Sequence, residues 1–246
     1  MYEAPRFLGS GDSCLFVEFS ESVDMAANMK LQALRRALEK KNVTGVREYV
    51  ATYRSLSIQF NPLVTSRQRI EAAVVDTLGK LEMGEHAARR VVVLPVAYGG
   101  EFGPDMESVS SHTGLDEDEI VRRHTGTDCY CYMLGFAPGF TYLGGMDETL
   151  STPRLKTPRL QTPPGSIGIA GKQTGAYSIP SPGGWQIIGR TPLKLFNPQD
   201  AQNPTLVDAG DWVRFRSITT GEYEDILQSV QAGRYRPERI VEEGGV

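Results

Sequence analysis

Between Glu148 and Asp200 the chain carries no aspartate or glutamate, yet these 51 residues hold Arg154, Lys156, Arg159, Lys172, Arg190 and Lys194. A local charge of +6 thus sits in a chain whose formal net charge is −4. Segregation of this kind sets up a positive field able to hold an anion. Arginine adds geometry, because its planar fork grips a carboxylate or phosphate through two parallel hydrogen bonds. Two other readings stay open: a solvated basic face, or cations paired with acids from elsewhere in the chain. The stretch "QTGAYSIPSPGGWQIIGRTP" adds Gln173, Tyr177 and Trp185 to Arg190. Aromatic walls with a few directional polar groups are what small-molecule sites use. Tyr177 and Trp185 also fit as core aromatics with satisfied polar tips. The expected ligand contacts are therefore Arg154, Arg159, Lys172, Gln173, Tyr177, Trp185 and Arg190. The cations would hold carboxylate or phosphate, Gln173 and Tyr177 would orient the ligand, and Trp185 would form a wall.

Other chemistries find less support. "GSIGIAGKQTG" has the texture of a phosphate loop, but Gly165 stands five residues before Gly171-Lys172 and Gln173 replaces the required hydroxyl. Its glycines fit tight barrel corners better. Cys129 and Cys131 could offer two thiolates, but no further cysteine lies near and His124 is the closest histidine; two small buried side chains on a strand are expected instead, and no metal. His86, His112 and His124 are scattered, and no nucleophile–base pair is visible, so catalytic residues stay unassigned. If this chain serves an enzyme, a partner is expected to bring some of the catalytic groups.

"STPRLKTPRLQTPPGS" (151–166) leads into this region with Thr-Pro at a spacing of five. That period suits neither helix nor strand, and the prolines favour a rigid, extended arm. On a straight arm of ~3.1 Å per residue, Arg154 and Arg159 would stand about 15 Å apart. Either the arm bends, or one arginine serves the ligand and the other a partner; Arg159, nearer the glycines, is the expected ligand contact.

The elements that must position these residues fall into two textures. Over the first hundred residues the order reads β-α-β-β-α-β, the split βαβ of ferredoxin-like domains. Leu15, Val17 and Phe19 alternate on a strand. Asp24 caps a helix with Leu31, Leu34 and Leu38 on one face. Val46–Tyr53 and Ser55–Phe60 read as strands, and Thr65 or Ser66 opens a helix with Ile70, Val74, Leu78 and Leu81 on one side. Arg89–Tyr98 is a further strand that either closes this sheet or begins the next domain. "YGGEFGP" (98–104) is a turn-rich join. Beyond Thr127, short β-prone runs alternate with Gly and Pro, which suggests a sandwich or barrel, and a last helix ends near Gly233. The fold class is α+β, with domains over 1–90 and 91–246 and the boundary inside 84–98.

Composition bounds the rest. A chain of 246 residues with 40% apolar content supports a real core. The acidic balance argues against a nucleic-acid partner held by general charge. Three cysteines, few and odd in number, and an opening "MYEAPRFLGSGDS" without a basic-then-apolar start, lead to the expectation of a cytoplasmic protein with no membrane partner.

The span from Tyr132 to Pro198, "YMLGFAPGFTYLGGMDETLSTPRLKTPRLQTPPGSIGIAGKQTGAYSIPSPGGWQIIGRTPLKLFNP", resembles the allophanate hydrolase subunit 1 / KipI family. The nearest branch is the PxpB type, subunits of bacterial ATP-dependent 5-oxoprolinase. "PVAYGGEFGPD", "TYRSLSIQFNP" and "FLGSGDSCLFVEF" fit the same family, so the likeness covers nearly the whole chain. It implies a small N-terminal α/β domain and a cyclophilin-like β-barrel. It also implies a KipA/PxpC-type partner subunit and, with a PxpA-type subunit, ATP-driven opening of 5-oxoproline to glutamate. ATP would be bound by this chain or by a partner. Related branches imply two alternatives: an inhibitor of a sporulation histidine kinase, or a carboxyltransferase module of the allophanate/urea carboxylase type. This chain has no biotin-attachment Met-Lys-Met. Thr141 stands where the family commonly has Pro.

Overall fold

In the computed structural model the chain divides into two compact units, Met1–His86 and Ala87–Val246. The structure describes residues 1–81 and 88–242. His86 and the lower end of the 84–98 boundary window lie outside the described residues.

The first unit runs β1 (Arg6–Ser10), β2 (Cys14–Glu18), α1 (Met25–Lys41), β3 (Val46–Ala51), β4 (Ser55–Phe60) and α2 (Arg67–Lys80). Its sheet has the order β1-β2-β4-β3, with every neighbour antiparallel. β4 lies between β2 and β3, which gives the split βαβ arrangement expected from the pattern. The edge that Arg89–Tyr98 could have taken belongs to β1, which pairs with β2 from Arg6↔Glu18 to Ser10↔Cys14. Asp24 caps α1 by accepting the Ala27 N–H at 2.7 Å, and Asn42 closes it in the left-handed region at φ 51°. Leu31, Leu34 and Leu38 turn into the core with Leu15, Val17, Leu56 and Ile58.

The second unit contains β5 (Arg89–Tyr98), α3 (Met106–Thr113), α4 (Glu117–Thr125), β6 (Cys129–Leu134), β7 (Thr141–Gly144), β8 (Arg159–Thr162), β9 (Ser166–Ala170), β10 (Gln173–Ala176), β11 (Ser181–Gly183), β12 (Gln186–Arg190), β13 (Trp212–Ser217), α5 (Thr220–Gln231) and β14 (Arg239–Glu242). The strands β12-β9-β10-β7-β6-β13-β5 form a ring that closes where β12 pairs with β5, so this is a barrel. Arg89–Tyr98 therefore begins the barrel, and Tyr98–Pro104, read above as a join, links β5 to α3 inside the unit.

Pro95 fits this strand for a simple reason. Along one edge of β5, β14 pairs with residues 89–92 and β12 with 97–98. Val93 turns its N–H to that edge, towards the Glu238 carbonyl, and by alternation so does the donor-less Pro95, in the gap between the two partners. The barrel interior is filled by Val92, Leu94, Val96, Leu143, Ile167, Ile169, Val213 and Phe215, with Cys129 and Cys131 fully buried among them. "GKQ" at 171–173 is the corner of the β9–β10 hairpin, with Ala170 opposite Gln173 and Gly171 at φ 58°.

Candidate functional site

The Thr-Pro arm is bent, and it is clasped to the chain around Trp185. Thr152 bridges to Gly171. The Leu155 N–H donates to the Gly184 carbonyl at 2.7 Å, and Gln186 Nε2 donates to the Pro153 carbonyl at 3.1 Å. The chain bends at Lys156–Thr157, and Arg159 Nη1 donates to the Trp185 carbonyl at 3.4 Å. The arm then enters β8, which pairs with β11. Both arginines of the arm thus reach Trp185. Arg154 places its guanidinium carbon 5.9 Å from the Trp185 ring centroid, a cation–π contact.

Beneath the arm lies an aromatic cluster centred on Phe140. Its ring meets Tyr142 and Tyr177 at 4.8 Å and Trp185 at 5.5 Å, all edge to face. Gly175 makes room for this packing, since a Cβ there would lie 2.6 Å from the Thr141 carbonyl and 3.0 Å from the Trp185 ring. Gly183 does the same for Tyr177, whose hydroxyl would sit 2.4 Å from an added Cβ. Burial raises the pKa of Tyr142 and Tyr177, and Arg154 pulls both back down. Arg154 is therefore electrostatically coupled to both phenols, which stay neutral at physiological pH.

The six cations divide. Arg159 pairs with Asp105 of the α3 start, and Lys172 pairs with Glu148 at 2.9 Å on the surface. Among the described residues, Arg154, Lys156, Arg190 and Lys194 have no carboxylate within ion-pair distance; Lys194 donates to Asn197 Oδ1. Acids from outside the segment thus cancel only part of its charge.

The expected contacts accordingly fall into separate places. Arg154, Arg159, Tyr177 and Trp185 come together. Tyr177 is 1% exposed, so it supports the site from within the core rather than lining it. Lys172 sits at the hairpin corner and Gln173 at the start of β10. Arg190 lies over the Phe102 ring at 5.9 Å and bonds to the Tyr223 hydroxyl, with its Nε buried and unpartnered.

Asp105, Phe136, Phe140 and Tyr142 were not among the expected residues. Asp105 accepts the Ile187 N–H on its second oxygen at 2.6 Å, so it ties α3, β12 and Arg159 into one unit. Nothing in the charge count pointed to it, because it lies 54 residues upstream of Arg159. The aromatic residues fall in "GFAPGFTYLGG", where only the family likeness marked them. Phe136 is the unusual member. It has φ 61°, and an Ala137 N–H to Gly135 carbonyl bond of 2.6 Å closes a γ-turn around it. Bulky residues rarely adopt such a turn, at a cost of about 1–3 kcal/mol.

His124 takes no part. It is fully buried, and Thr174 donates to the Gly168 carbonyl at 3.1 Å, so Thr174 must accept from His124 Nε2–H at 2.8 Å. Nδ1 then accepts from the Tyr98 hydroxyl at 2.8 Å. Burial drives the imidazole pKa down to about 3, and the ring stays neutral.

Similarity to known proteins agrees with this architecture. A family model described as carboxyltransferase domain, subdomain C and D, matches residues 5–207. A 5-oxoprolinase subunit of Bacillus subtilis, of the PxpB type, is 39% identical over 223 residues, covering 87% of this chain and 92% of that protein. Its counterpart in Escherichia coli O157:H7 is 36% identical, covering 83% and 92%. The crystal structure of the Kluyveromyces lactis urea carboxylase superposes with a TM-score of 0.75 over 96% of this chain and 24% of that one, at 18% identity, a likeness of fold. The resemblance read from Tyr132–Pro198 is borne out.

Proposed function

Because the chain belongs to the carboxyltransferase subdomain C and D family, we propose that it is the PxpB-type subunit of an ATP-dependent 5-oxoprolinase. The observation that carries this reading is the 39% identity to the Bacillus subtilis 5-oxoprolinase subunit across 92% of that protein's length. Its partners are a KipA/PxpC-type subunit and a PxpA-type subunit, and the assembly works in the cytoplasm, where ATP is available. The likeness to urea carboxylase is one of fold, so a carboxyltransferase role is not taken up.

The reaction opens a lactam. ATP gives its γ-phosphoryl group to the lactam oxygen and leaves as ADP. Water adds at the activated carbonyl carbon, the C–N bond breaks, the nitrogen keeps the electron pair and takes a proton, and phosphate departs. Substrate and intermediate both carry anionic groups. Arg154 supports this chemistry best, as a guanidinium without a carboxylate partner beside Trp185 and Tyr142. In this reading Arg154 holds the substrate carboxylate or the phosphate, and Trp185 and Tyr142 supply the wall. Arg159, held by Asp105, fixes the arm that presents Arg154. Neutral tyrosines and a buried, neutral His124 make poor bases, so proton transfer falls to groups from the partner subunits. The test is 5-oxoproline-dependent ATP hydrolysis by the chain co-purified with both partner subunits. Turnover by the assembly that disappears on omission of this chain supports the reading; turnover that does not need this chain refutes it.

A further inference from the structure

The aromatic cluster does not end at the surface with Phe140. Phe136 stacks on Phe140 at 5.7 Å, edge to face, and is itself 64% exposed. A ring of that size in water is unusual, and here the backbone adopts a disfavoured φ to hold it there. The loop around it is pinned on both sides. The Gly135 N–H donates to the Phe140 carbonyl at 3.2 Å, and the Phe140 N–H donates to the Ala137 carbonyl at 3.0 Å. Ser178 Oγ donates to the Pro138 carbonyl. Gly139, at φ 76°, lies so close to Phe196 that an added Cβ would stand 3.0 Å from the Phe196 Cβ. Residues Leu134–Gly139 also line a cleft of about 290 Å³. A rigid, exposed aromatic beside a cleft is the form of a pre-organised binding anchor, since little freedom is lost when it is captured.

We infer that Phe136 is the anchor by which the KipA/PxpC-type partner docks on this chain, inserting into an apolar pocket of that partner flanked by carboxylates. The acidic rim follows from charge complementarity. Phe136 connects through Phe140 and Trp185 to Arg154, and Arg154 and Lys156 lack carboxylate partners among the described residues. This inference rests on the assembly proposed above. It also gives the missing proton-transfer groups a route to the site, because the docked partner would close over Arg154.

The test is titration calorimetry of the purified chain against the purified KipA/PxpC-type subunit, with neither ATP nor 5-oxoproline present. Three variants are compared: Phe136→Gly, Phe136→Ala and, as a control, Leu63→Ala, whose side chain is 94% exposed in the first unit. Glycine accepts positive φ without strain, so Phe136→Gly should leave the melting temperature of the free chain unchanged or raised while weakening association at least tenfold. Phe136→Ala should weaken association equally, Leu63→Ala should not, and added salt should weaken the wild-type complex. Wild-type affinity in Phe136→Gly, or no association of the wild-type chain with its partner, overturns the inference. So does self-association of the wild-type chain that Phe136→Gly abolishes, since the occupant is then a second copy. A complex that depends on Phe136 but shows no turnover leaves the docking intact and refutes the reaction; turnover with full association in Phe136→Gly does the reverse.

Discussion

Arg159 is bound to Asp105, and the same carboxylate accepts the backbone N–H of Ile187 at 2.6 Å. One buried acid therefore fixes the bend of the arm, the start of α3 and the strand after Trp185. Removing it leaves a guanidinium and a buried amide without their partner. Asp105→Ala should lower stability by about 1–3 kcal/mol, read as a fall in denaturation midpoint at constant m-value. Asp105→Asn keeps an acceptor for the amide and should cost less. Equal stability of wild type and Asp105→Ala would show that the pair does not hold the arm.

Arg154 differs from its neighbour in having no carboxylate to release. Arg154→Ala should change stability by under about 0.5 kcal/mol, as for a surface substitution. In the assembled enzyme it should lower kcat/KM about ten- to hundredfold, the loss expected for a charge-assisted hydrogen bond. Arg159→Ala should lower both stability and activity. This contrast separates a ligand contact from a positioning residue.

Much of the first unit was legible in the sequence, because its signals are local. Leu31, Leu34 and Leu38 repeat at helical spacing, and all three are buried. Asp24, Ser66 and Asp116 cap helices where a capping residue precedes an apolar run. β1 and β14 were missed because they are largely exposed and carry little alternation. The bend of the arm could not be read, since the groups that impose it, Gly184, Trp185 and Gln186, lie about thirty residues away, as the Gln186–Pro153 separation of 33 illustrates. Asp105 escaped for the same reason. A charge count along the chain finds a deficit of acids but not the acid that folds back into it.

The buried His124 predicts a pH dependence. Its folded pKa, about 3, lies below the usual 6.5, so the unfolded chain binds the extra proton between those values. Stability is then full above pH ~6.5 and falls as pH drops towards 3, with a slope of up to about 1.4 kcal/mol per pH unit. Between pH 6.5 and 5, where most carboxylates stay ionised, His124→Gln should show a flatter profile whatever its absolute stability. Identical slopes would mean that His124 is protonated in the fold.

Two glycines should respond to alanine with opposite signs. Gly183→Ala drives a Cβ to 2.4 Å from the Tyr177 hydroxyl and 2.6 Å from Thr162 Oγ1, and should cost about 1–3 kcal/mol. Gly221, in the first turn of α5, faces open space, so Gly221→Ala should gain about 0.5–1 kcal/mol. Thermal melts of the pair check both directions.

Thiol labelling tests the barrel core. Cys129 and Cys131 are fully buried and burial raises both pKa values, Cys129 to about 12, whereas Cys14 is partly exposed. A thiol reagent should modify Cys14 first and the other two after unfolding.

The most direct test of the account is a pair of rates measured on one assembly. The chain, wild type or Arg154→Ala, is co-purified with its KipA/PxpC-type and PxpA-type subunits, and ATP hydrolysis is followed with and without 5-oxoproline. The account predicts hydrolysis that requires 5-oxoproline in the wild-type complex, and a ten- to hundredfold loss of kcat/KM in an Arg154→Ala complex of unchanged composition. Hydrolysis indifferent to 5-oxoproline, or wild-type rates with Arg154→Ala, would contradict it.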